Sequence, residues 1–298
     1  MAVVRLNFLS KMLGMHTNVT ILLPSFDQGA DLGRPLEEVY PGDAKYKVIW
    51  MLHGGSDDEA VYLHWTNIAR YAAAYNCAVV LPNTYNSGYS NWPRGAQYYT
   101  FFVDELRQFL YSNFPLSDKR EDNFIGGISM GSGGAMRVVM DRFDEFAAAL
   151  ILSGGFPAKP ASGAGGSPRT TGHSVFRQRI MATGWPMPKS PKDVVREDVY
   201  TLAKRNAETG RPLPKMILCS GEDDIIAYEG TKTGIAALTE LGYDVTGFIL
   251  PGYKHEWDFW EICLRKAFSE WLGLERRTVT ELSAGTQAKV EEKDLKKA

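Results

Sequence analysis

Residues 124–136 read FIGGISMGSGGAM, in which an apolar, strand-like segment leads into a glycine-rich turn and then into a helix-compatible run. The five residues from Gly127 to Gly131 follow the pattern G-x-S-x-G, which exposes a serine at the tip of a sharp strand-to-helix turn. Glycines on both sides of Ser129 remove side chains that would collide in that strained conformation. The pattern indicates Ser129 as a candidate nucleophile. The alternative is a glycine-rich turn that serves packing only, which has the same sequence pattern.

Length and composition are those of one large globular domain. The chain has 298 residues, of which 44% are hydrophobic, and a formal net charge of -2. Without a basic excess, nucleic acids and anionic membranes are not expected as partners. No apolar run reaches the roughly 18 residues that a membrane span needs, and the N-terminus has no signal-peptide pattern. We therefore expect a cytoplasmic protein, whose three cysteines are buried free thiols.

Strand-like runs alternate with segments of helical periodicity along most of the chain. Val3–Leu9 and Thr17–Leu23 are expected to pair as an N-terminal antiparallel hairpin. The later runs are continuously apolar, which is typical of strands that are buried on both faces of a parallel sheet. The predicted fold class is α/β, with a mostly parallel central sheet and helices on both faces. The later predicted strands are Val48–Leu52, Ala78–Leu81, Phe124–Ile128, Ala148–Leu152, Lys215–Cys219 and Val245–Leu250.

The domain boundaries follow from changes in composition. We expect a single domain over residues 1–273 and a charged, disordered tail over residues 274–298. The residues from about 153 to 192 are rich in Gly, Ser and Pro, which predicts an insertion near the active site or a solvated surface loop. Ser56-Asp57-Asp58-Glu59 is interpreted as a capping box, with Ser56 as the N-cap of the next helix, and not as a metal site.

Four of the predicted strands end in residues that could take part in catalysis. These are His53-Gly54-Gly55, Ser129, Asp223-Asp224 and His255. In an open parallel sheet, the carboxyl ends of the strands meet at one edge, so these residues are expected to lie close together. A serine hydroxyl needs a base, and His255 is the histidine that follows both Ser129 and the acidic turn. The order Ser, Asp, His is that of an α/β-hydrolase triad.

The acid of the predicted triad lies in a run of three carboxylates. Glu222, Asp223 and Asp224 are adjacent, and each could orient the imidazole. Asp224 follows Gly221 with G-x-x-D spacing, which favours it, and Asp223 is the alternative. The unused aspartate would then be a turn or helix-cap residue.

An oxyanion hole and a substrate pocket complete the predicted site. The backbone N–H of Met130, which follows the nucleophile, and that of Gly55 are the expected oxyanion donors. A tight turn without such a role is the alternative for the glycines after His53. Trp92, Phe156 and Trp185 are predicted to line the pocket.

Together these segments resemble the putative-esterase family of α/β hydrolases, which includes esterase D (S-formylglutathione hydrolase), feruloyl and acetyl-xylan esterases and the tributyrin and acetyl esterases. The resemblance implies a serine carboxylesterase that uses Ser129, Asp224 and His255, with Gly55 and Met130 N–H as the oxyanion hole. It implies no metal and no organic cofactor. The similar segments are the LPS turn after the hairpin, HGGSDDEAVYLHW, GISMGSGGAMR, GEDDII and PGYKHEWDFWE.

The chain departs from the family at two points: Ile225-Ile226 replace the usual Phe-Leu, and the insertion is longer. The expected activity is hydrolysis of short-chain acyl esters, of acetyl or small aryl type and including esters on sugars, through an acyl-enzyme intermediate. An acyltransferase with the same triad and an inactive binding or scaffold protein are the alternatives. The expected partner is a small-molecule ester. The oligomeric state stays open, with a homo-oligomer among the options.

Overall fold

The computed structural model describes residues 1–92, 95–157, 159 and 198–278. Its strands are β1 (Ala2–Ser10), β2 (Met15–Leu23), β3 (Val48–Leu52), β4 (Ala78–Pro82), β5 (Asn123–Ile128), β6 (Ala148–Leu152), β7 (Lys215–Gly221) and β8 (Val245–Leu250). They form one sheet in the order β1-β2-β4-β3-β5-β6-β7-β8. The contacts of β2 with β1 and β4 are antiparallel, and all the others are parallel. This confirms the predicted sheet and hairpin.

The central strands are buried along their whole length, which explains their uninterrupted apolar sequences. Every residue of β3, β4, β5 and β6 is buried. Successive side chains of a strand point to opposite faces, so Trp50 packs into one apolar cluster while Ile49 and Met51 pack into the other. The sheet therefore separates two cores, each covered by helices.

The helices pack on these two cores. They are α1 (Gln28–Asp31), α2 (Leu36–Val39), α3 (Val61–Trp65), α4 (Ile68–Ala74), α5 (Tyr98–Thr100), α6 (Arg107–Asn113), α7 (Met130–Asp141), α8 (Val199–Glu208), α9 (Tyr228–Glu240) and α10 (Trp257–Lys266). A π-helical segment, Phe101–Leu106, joins α5 to α6, and another, Ala267–Trp271, extends α10. No helix in this part of the chain is both long and apolar enough to cross a membrane.

The capping-box prediction for residues 56–59 is wrong. Ser56 has φ 73°, whereas an N-cap residue adopts an extended conformation. Its N–H donates to Asn86 Oδ1 at 2.7 Å. Helix α3 begins only at Val61, and Asp58 Oδ1 accepts the N–H of Ala60 at 2.8 Å. The chain after β3 is thus a series of turns that keeps the first helix away from the strand end.

The folded part of the chain extends beyond the predicted boundary at residue 273. Leu274 is buried, and the N–H of Arg277 donates to the carbonyl of Ala74 at 2.8 Å. The Arg277 guanidinium binds both carboxylate oxygens of the fully buried Asp31 at 2.6 Å. These contacts attach residues 274–277 to the domain. Residues 279–298 of the predicted tail and most of the predicted insertion lie outside the described residues.

Candidate active site

Ser129 lies at the carboxyl edge of the sheet, directly after strand β5. The strand is fully buried, and the chain turns at Ser129 with φ 51° and ψ -113° directly before α7. Such a conformation destabilises a residue with a Cβ atom by about 1–3 kcal/mol, so the surrounding contacts have to hold it. The Ser129 N–H donates to Leu152 O at 3.0 Å, and the Ser129 carbonyl accepts the Ser132 N–H at 3.1 Å. The strained serine is therefore fixed from both sides.

Two glycines make this turn sterically feasible. A Cβ atom on Gly127 would lie 2.4 Å from the carbonyl carbon and oxygen of Gly131. A Cβ atom on Gly131 would lie 2.2 Å from the carbonyl oxygen of Leu52, at the end of β3. The first glycine lets the turn close, and the second lets the first turn of α7 sit directly against β3. The spacing of the G-x-S-x-G pattern follows from these two contacts.

The two N–H groups predicted to form an oxyanion hole belong to the first turn of α7 and to the glycine turn after β3. Met130 is the first residue of α7, and an N–H at that position has no acceptor within its own helix. A Cβ atom on Gly54 would contact the Ile128 side chain at 3.5 Å, so the glycine turn after β3 adjoins the turn at Ser129. At Gly55 such an atom would meet nothing within 4 Å. Space for a substrate is therefore present beside the Gly55 backbone.

His53 supports this glycine turn through the backbone. It is buried, its Nδ1–H donates to Gly54 O at 2.7 Å, and its Nε2 accepts the Thr84 N–H at 3.1 Å. Burial lowers the pKa of His53 below its usual value. Both ring nitrogens are therefore occupied, and a neutral imidazole connects the turn after β3 to the loop after β4.

Asp224 and His255 form a hydrogen-bonded pair at the ends of β7 and β8. His255 Nδ1 lies 2.9 Å from Asp224 Oδ2, and Asp224 Oδ1 accepts the N–H groups of Ile226 and Ala227, each at 3.0 Å. Burial alone would raise the pKa of Asp224, but the His255 hydrogen bond and charge, the Ser153 hydroxyl and the Ile226 N–H together lower it. The carboxylate is therefore ionised at neutral pH.

The position of Asp224 distinguishes it from its neighbour in the acidic turn. Asp224 is 1% exposed, whereas Asp223 is exposed and its N–H donates to Tyr253 O at 3.0 Å. The imidazole of His255 keeps 21% of its side-chain surface exposed and packs edge-on against Trp260, with 5.1 Å between ring centroids. An ionised carboxylate, an accessible imidazole and a strained serine at one sheet edge are the groups that acyl transfer requires.

The predicted pocket residues have different surroundings. Phe156 is 2% exposed, and its ring lies 6.1 Å from that of Tyr200, so it is part of the core. Trp92 is half-buried against Tyr98, at 5.3 Å, and its indole N–H has no hydrogen-bond partner among the described residues. Trp185 lies outside the described residues. We therefore leave Phe156 out of the proposed site.

Other features of the described residues do not extend the site. Two surface cavities of about 400 and 480 Å³ contain none of the predicted catalytic residues. Within residues 1–92, 95–157, 159 and 198–278, no group of three or more His, Cys, Asp or Glu side chains could hold a metal ion. The three cysteines, Cys77, Cys219 and Cys263, are free and buried.

One buried polar residue beside the pair was missed in the sequence. Ser153 directly follows β6 and is 3% exposed, and its hydroxyl is one of the groups that lower the pKa of Asp224. Its position is what could have revealed it, because Ser153 is a polar residue at the end of a predicted strand, as Ser129 is.

Comparison with known proteins places the chain among ester hydrolases. A family model described as putative esterase matches residues 11–230. An acetyl esterase from Caldicellulosiruptor saccharolyticus is 29% identical over 274 residues, which cover 91% of this chain and 98% of that protein.

Two solved structures from Staphylococcus aureus are similar over nearly the whole chain. The substrate-bound structure of FphF, a fluorophosphonate-binding serine hydrolase, is 28% identical with a TM-score of 0.72, and the match covers 91% of this chain and 98% of that one. The S-formylglutathione hydrolase FrmB is 28% identical with a TM-score of 0.68, covering 91% and 96%. The fold is accordingly that of the α/β hydrolases.

Proposed function

The chain belongs to the putative esterase family and is a carboxylic ester hydrolase, and we propose that it cleaves short-chain acyl esters through an acyl-enzyme intermediate on Ser129. The observation that carries this proposal is the hydrogen bond of 2.9 Å between His255 and Asp224. It leaves His255 Nε2 as the nitrogen that can exchange a proton with a serine hydroxyl. The strained conformation of Ser129 supports the same assignment.

In the first step, Ser129 Oγ attacks the ester carbonyl carbon while its proton passes to His255 Nε2. Asp224 holds the Nδ1–H and stabilises the imidazolium that forms. The N–H groups of Gly55 and Met130 are the proposed donors to the oxyanion. Collapse of the tetrahedral intermediate breaks the bond to the alcohol oxygen, which takes the proton from His255 and leaves.

In the second step, His255 takes a proton from a water molecule, whose oxygen attacks the acyl carbon. Collapse of the second tetrahedral intermediate returns a proton to Ser129 Oγ and releases the carboxylic acid. The acid–base work in both steps falls on His255, so both should slow together when the imidazole loses its orientation.

The proposed substrates are small-molecule esters with a short acyl group, of acetyl or small aryl type and including esters on sugars. The similarity to an acetyl esterase over 91% of the chain supports the short acyl group. The alcohol part of the ester is left broad.

The test is covalent labelling combined with turnover. We expect a fluorophosphonate probe to label the wild-type protein, and Ser129→Ala to abolish both the labelling and hydrolysis of p-nitrophenyl acetate. Ser132→Ala is the matched control, because Ser132 lies in the same turn and its Oγ donates to the Ser129 carbonyl at 2.5 Å. This variant should still be labelled.

Three other outcomes would contradict the proposal. A wild-type protein that is neither labelled nor active would indicate a binding or scaffold protein. A dominant transfer product in the presence of an acceptor alcohol would indicate an acyltransferase. Faster turnover of octanoyl than of acetyl p-nitrophenyl esters would contradict the short-chain preference.

A further inference from the structure

Ser153 has an unusual backbone conformation at the end of β6. Its φ is 49°, and its N–H donates to Cys219 O on the neighbouring strand β7 at 2.8 Å. A residue with a side chain is strained in this conformation, whereas glycine adopts it freely. Glycine would fit this backbone conformation without strain, but it would lack the hydroxyl. The hydroxyl is therefore the group that the strained serine supplies.

The Ser153 hydroxyl is held from one side by Trp260. The indole N–H of Trp260 donates to Ser153 Oγ at 2.9 Å, in a buried contact between residues 107 positions apart. A hydroxyl that accepts such a bond still has its own hydrogen to donate. Ser153 and Asp224 follow the adjacent strands β6 and β7, and a hydrogen bond from the Ser153 hydroxyl is one of the causes that lower the pKa of Asp224.

Trp260 contacts the other member of the pair as well. Its ring stands perpendicular to the imidazole of His255, at an interplanar angle of 87°. One tryptophan therefore restrains the imidazole by packing and the serine hydroxyl by hydrogen bonding. The same imidazole is hydrogen-bonded to Asp224, whose pKa the Ser153 hydroxyl lowers.

We propose that Ser153, held by Trp260, is a positioning residue for the Asp224–His255 pair, and that its hydroxyl donates to the Asp224 carboxylate and fixes the orientation in which the carboxylate faces the imidazole. This role rests on the proposed function. It adds two positioning residues to the proposed catalytic residues without giving either of them contact with the substrate.

Loss of the Ser153 hydroxyl should have two consequences. The carboxylate would become free to rotate, so kcat should fall about tenfold, with KM nearly unchanged, as expected for the loss of one hydrogen bond to a charged group. The carboxylate would also direct more of its charge to the imidazole and favour the protonated form. The acidic limb of the pH profile of kcat/KM should therefore move to higher pH, by about 0.5 unit.

The other titratable groups around the pair do not depend on Ser153. They are Glu222 and Asp223 in the turn after β7, Lys254 and Glu256 beside His255, and Asp258 in the first turn of α10, all at least partly exposed. The Glu256 carboxylate accepts the Lys254 N–H at 2.7 Å. Because none of these groups is hydrogen-bonded to Ser153, a shift of the acidic limb in the variant reports on Asp224 and His255.

The experiment compares Ser153→Gly, Ser153→Ala and Trp260→Phe with the wild-type enzyme. Ser153→Gly removes the hydroxyl and accepts the backbone conformation, so the variant should fold. Ser153→Ala removes the same hydroxyl and keeps the Cβ atom. Trp260→Phe keeps a ring against His255 and loses the N–H donor. All three should show the lower kcat and the shifted acidic limb, with a smaller effect in Trp260→Phe.

Non-additivity tests whether Trp260 acts through Ser153. The variant that combines Ser153→Gly with Trp260→Phe should be within about twofold of Ser153→Gly alone, because both substitutions break the same chain of hydrogen bonds. Ser117→Ala is the matched control. Ser117 is also 3% exposed, and its Oγ donates to Asp122 at 2.6 Å, but it lies before the amino end of β5. Its pH profile should match that of the wild type.

The outcome separates this inference from the proposed function. A wild-type protein without labelling or turnover would mean that the proposed function fails. An active wild type in which Ser153→Gly keeps both its kcat and its acidic limb would overturn the positioning role while leaving the esterase proposal intact. Equal shifts in Ser153→Gly and Ser117→Ala would also overturn it, because they would indicate a general effect of losing a buried hydroxyl.

Discussion

The two edges of the sheet use the left-handed backbone conformation in different ways. Before the amino ends of β7 and β8, the chain turns at Gly210, with φ 68°, and at Gly242, with φ 86°. After the carboxyl ends of β5 and β6, it turns at Ser129, with φ 51°, and at Ser153, with φ 49°. Glycine adopts this conformation without a steric penalty, whereas a residue with a Cβ atom is destabilised by about 1–3 kcal/mol.

The contrast holds for most of the described strained residues. Six residues other than glycine have positive φ there, and five of them follow the carboxyl end of a strand: Ser56, Tyr85, Tyr89, Ser129 and Ser153. The sixth, Asn76, precedes β4. Where a turn only reverses the chain, glycine is sufficient. Glycine with positive φ also occurs after the carboxyl ends, at Gly88 and Gly252. At Ser129 and Ser153, however, the fold keeps the side chain and compensates the strain through hydrogen bonds of the backbone.

The largest expected effect is at the acid of the pair. Asp224→Asn should lower kcat/KM for p-nitrophenyl acetate by about 10³-fold or more, because an amide in place of the carboxylate no longer stabilises the imidazolium and favours the wrong tautomer. Asp223→Asn is the control within the same turn, and it should change kcat/KM by less than about threefold, since surface substitutions have small effects. A larger loss in Asp223→Asn would transfer the role of the acid to Asp223.

An intermediate effect is expected at two glycines in the first turn of α7. Gly131→Ala should lower the free energy of unfolding by about 3 kcal/mol, because its Cβ atom would overlap with the end of β3. Gly133→Ala should instead raise it by about 0.5–1 kcal/mol, since a Cβ atom there meets nothing within 4 Å and alanine favours a helix. Urea unfolding measures both values.

These two glycine variants also have an expected difference in activity. Gly133→Ala should keep wild-type turnover, whereas Gly131→Ala should lose most of it because α7 and Met130 would shift. If the two variants were equally stable, the close approach of α7 to β3 would not be the reason for a glycine at position 131.

The smallest expected change in the free energy of unfolding gives the direct test of the contrast between the edges. Ser129→Gly should raise the free energy of unfolding by about 1 kcal/mol while abolishing turnover, because glycine relieves the backbone strain. Gly242→Ala should lower it by about 1 kcal/mol and leave turnover unchanged. Thermal unfolding and p-nitrophenyl acetate hydrolysis measure the two properties. Destabilisation of Ser129→Gly would show that the serine side chain contributes more to stability than its backbone strain costs.

Much of the fold could be predicted because its determinants are local. Strands such as Val48–Leu52 are buried on both faces and therefore form continuous apolar runs. The start of α3 could not be predicted, because the N–H of Ser56 binds Asn86, which is 30 residues away. Residues 56–59 therefore do not form the capping box that their sequence predicts. The boundary at residue 273 was too early for a similar reason, since the partner of Arg277 is Asp31.

The sequence by itself determined the sharp turn at Ser129, because the contact that requires a glycine at position 127 is with Gly131, within the same five residues. It also determined that Asp224 and His255 follow strands of one parallel sheet. Only the tertiary structure decided which carboxylate faces the imidazole and which residues hold it. Trp260 and Ser153 are 107 positions apart and meet only after β6, β7 and α10 have packed. Contacts between distant segments leave no pattern in the chain, whereas a sharp turn does.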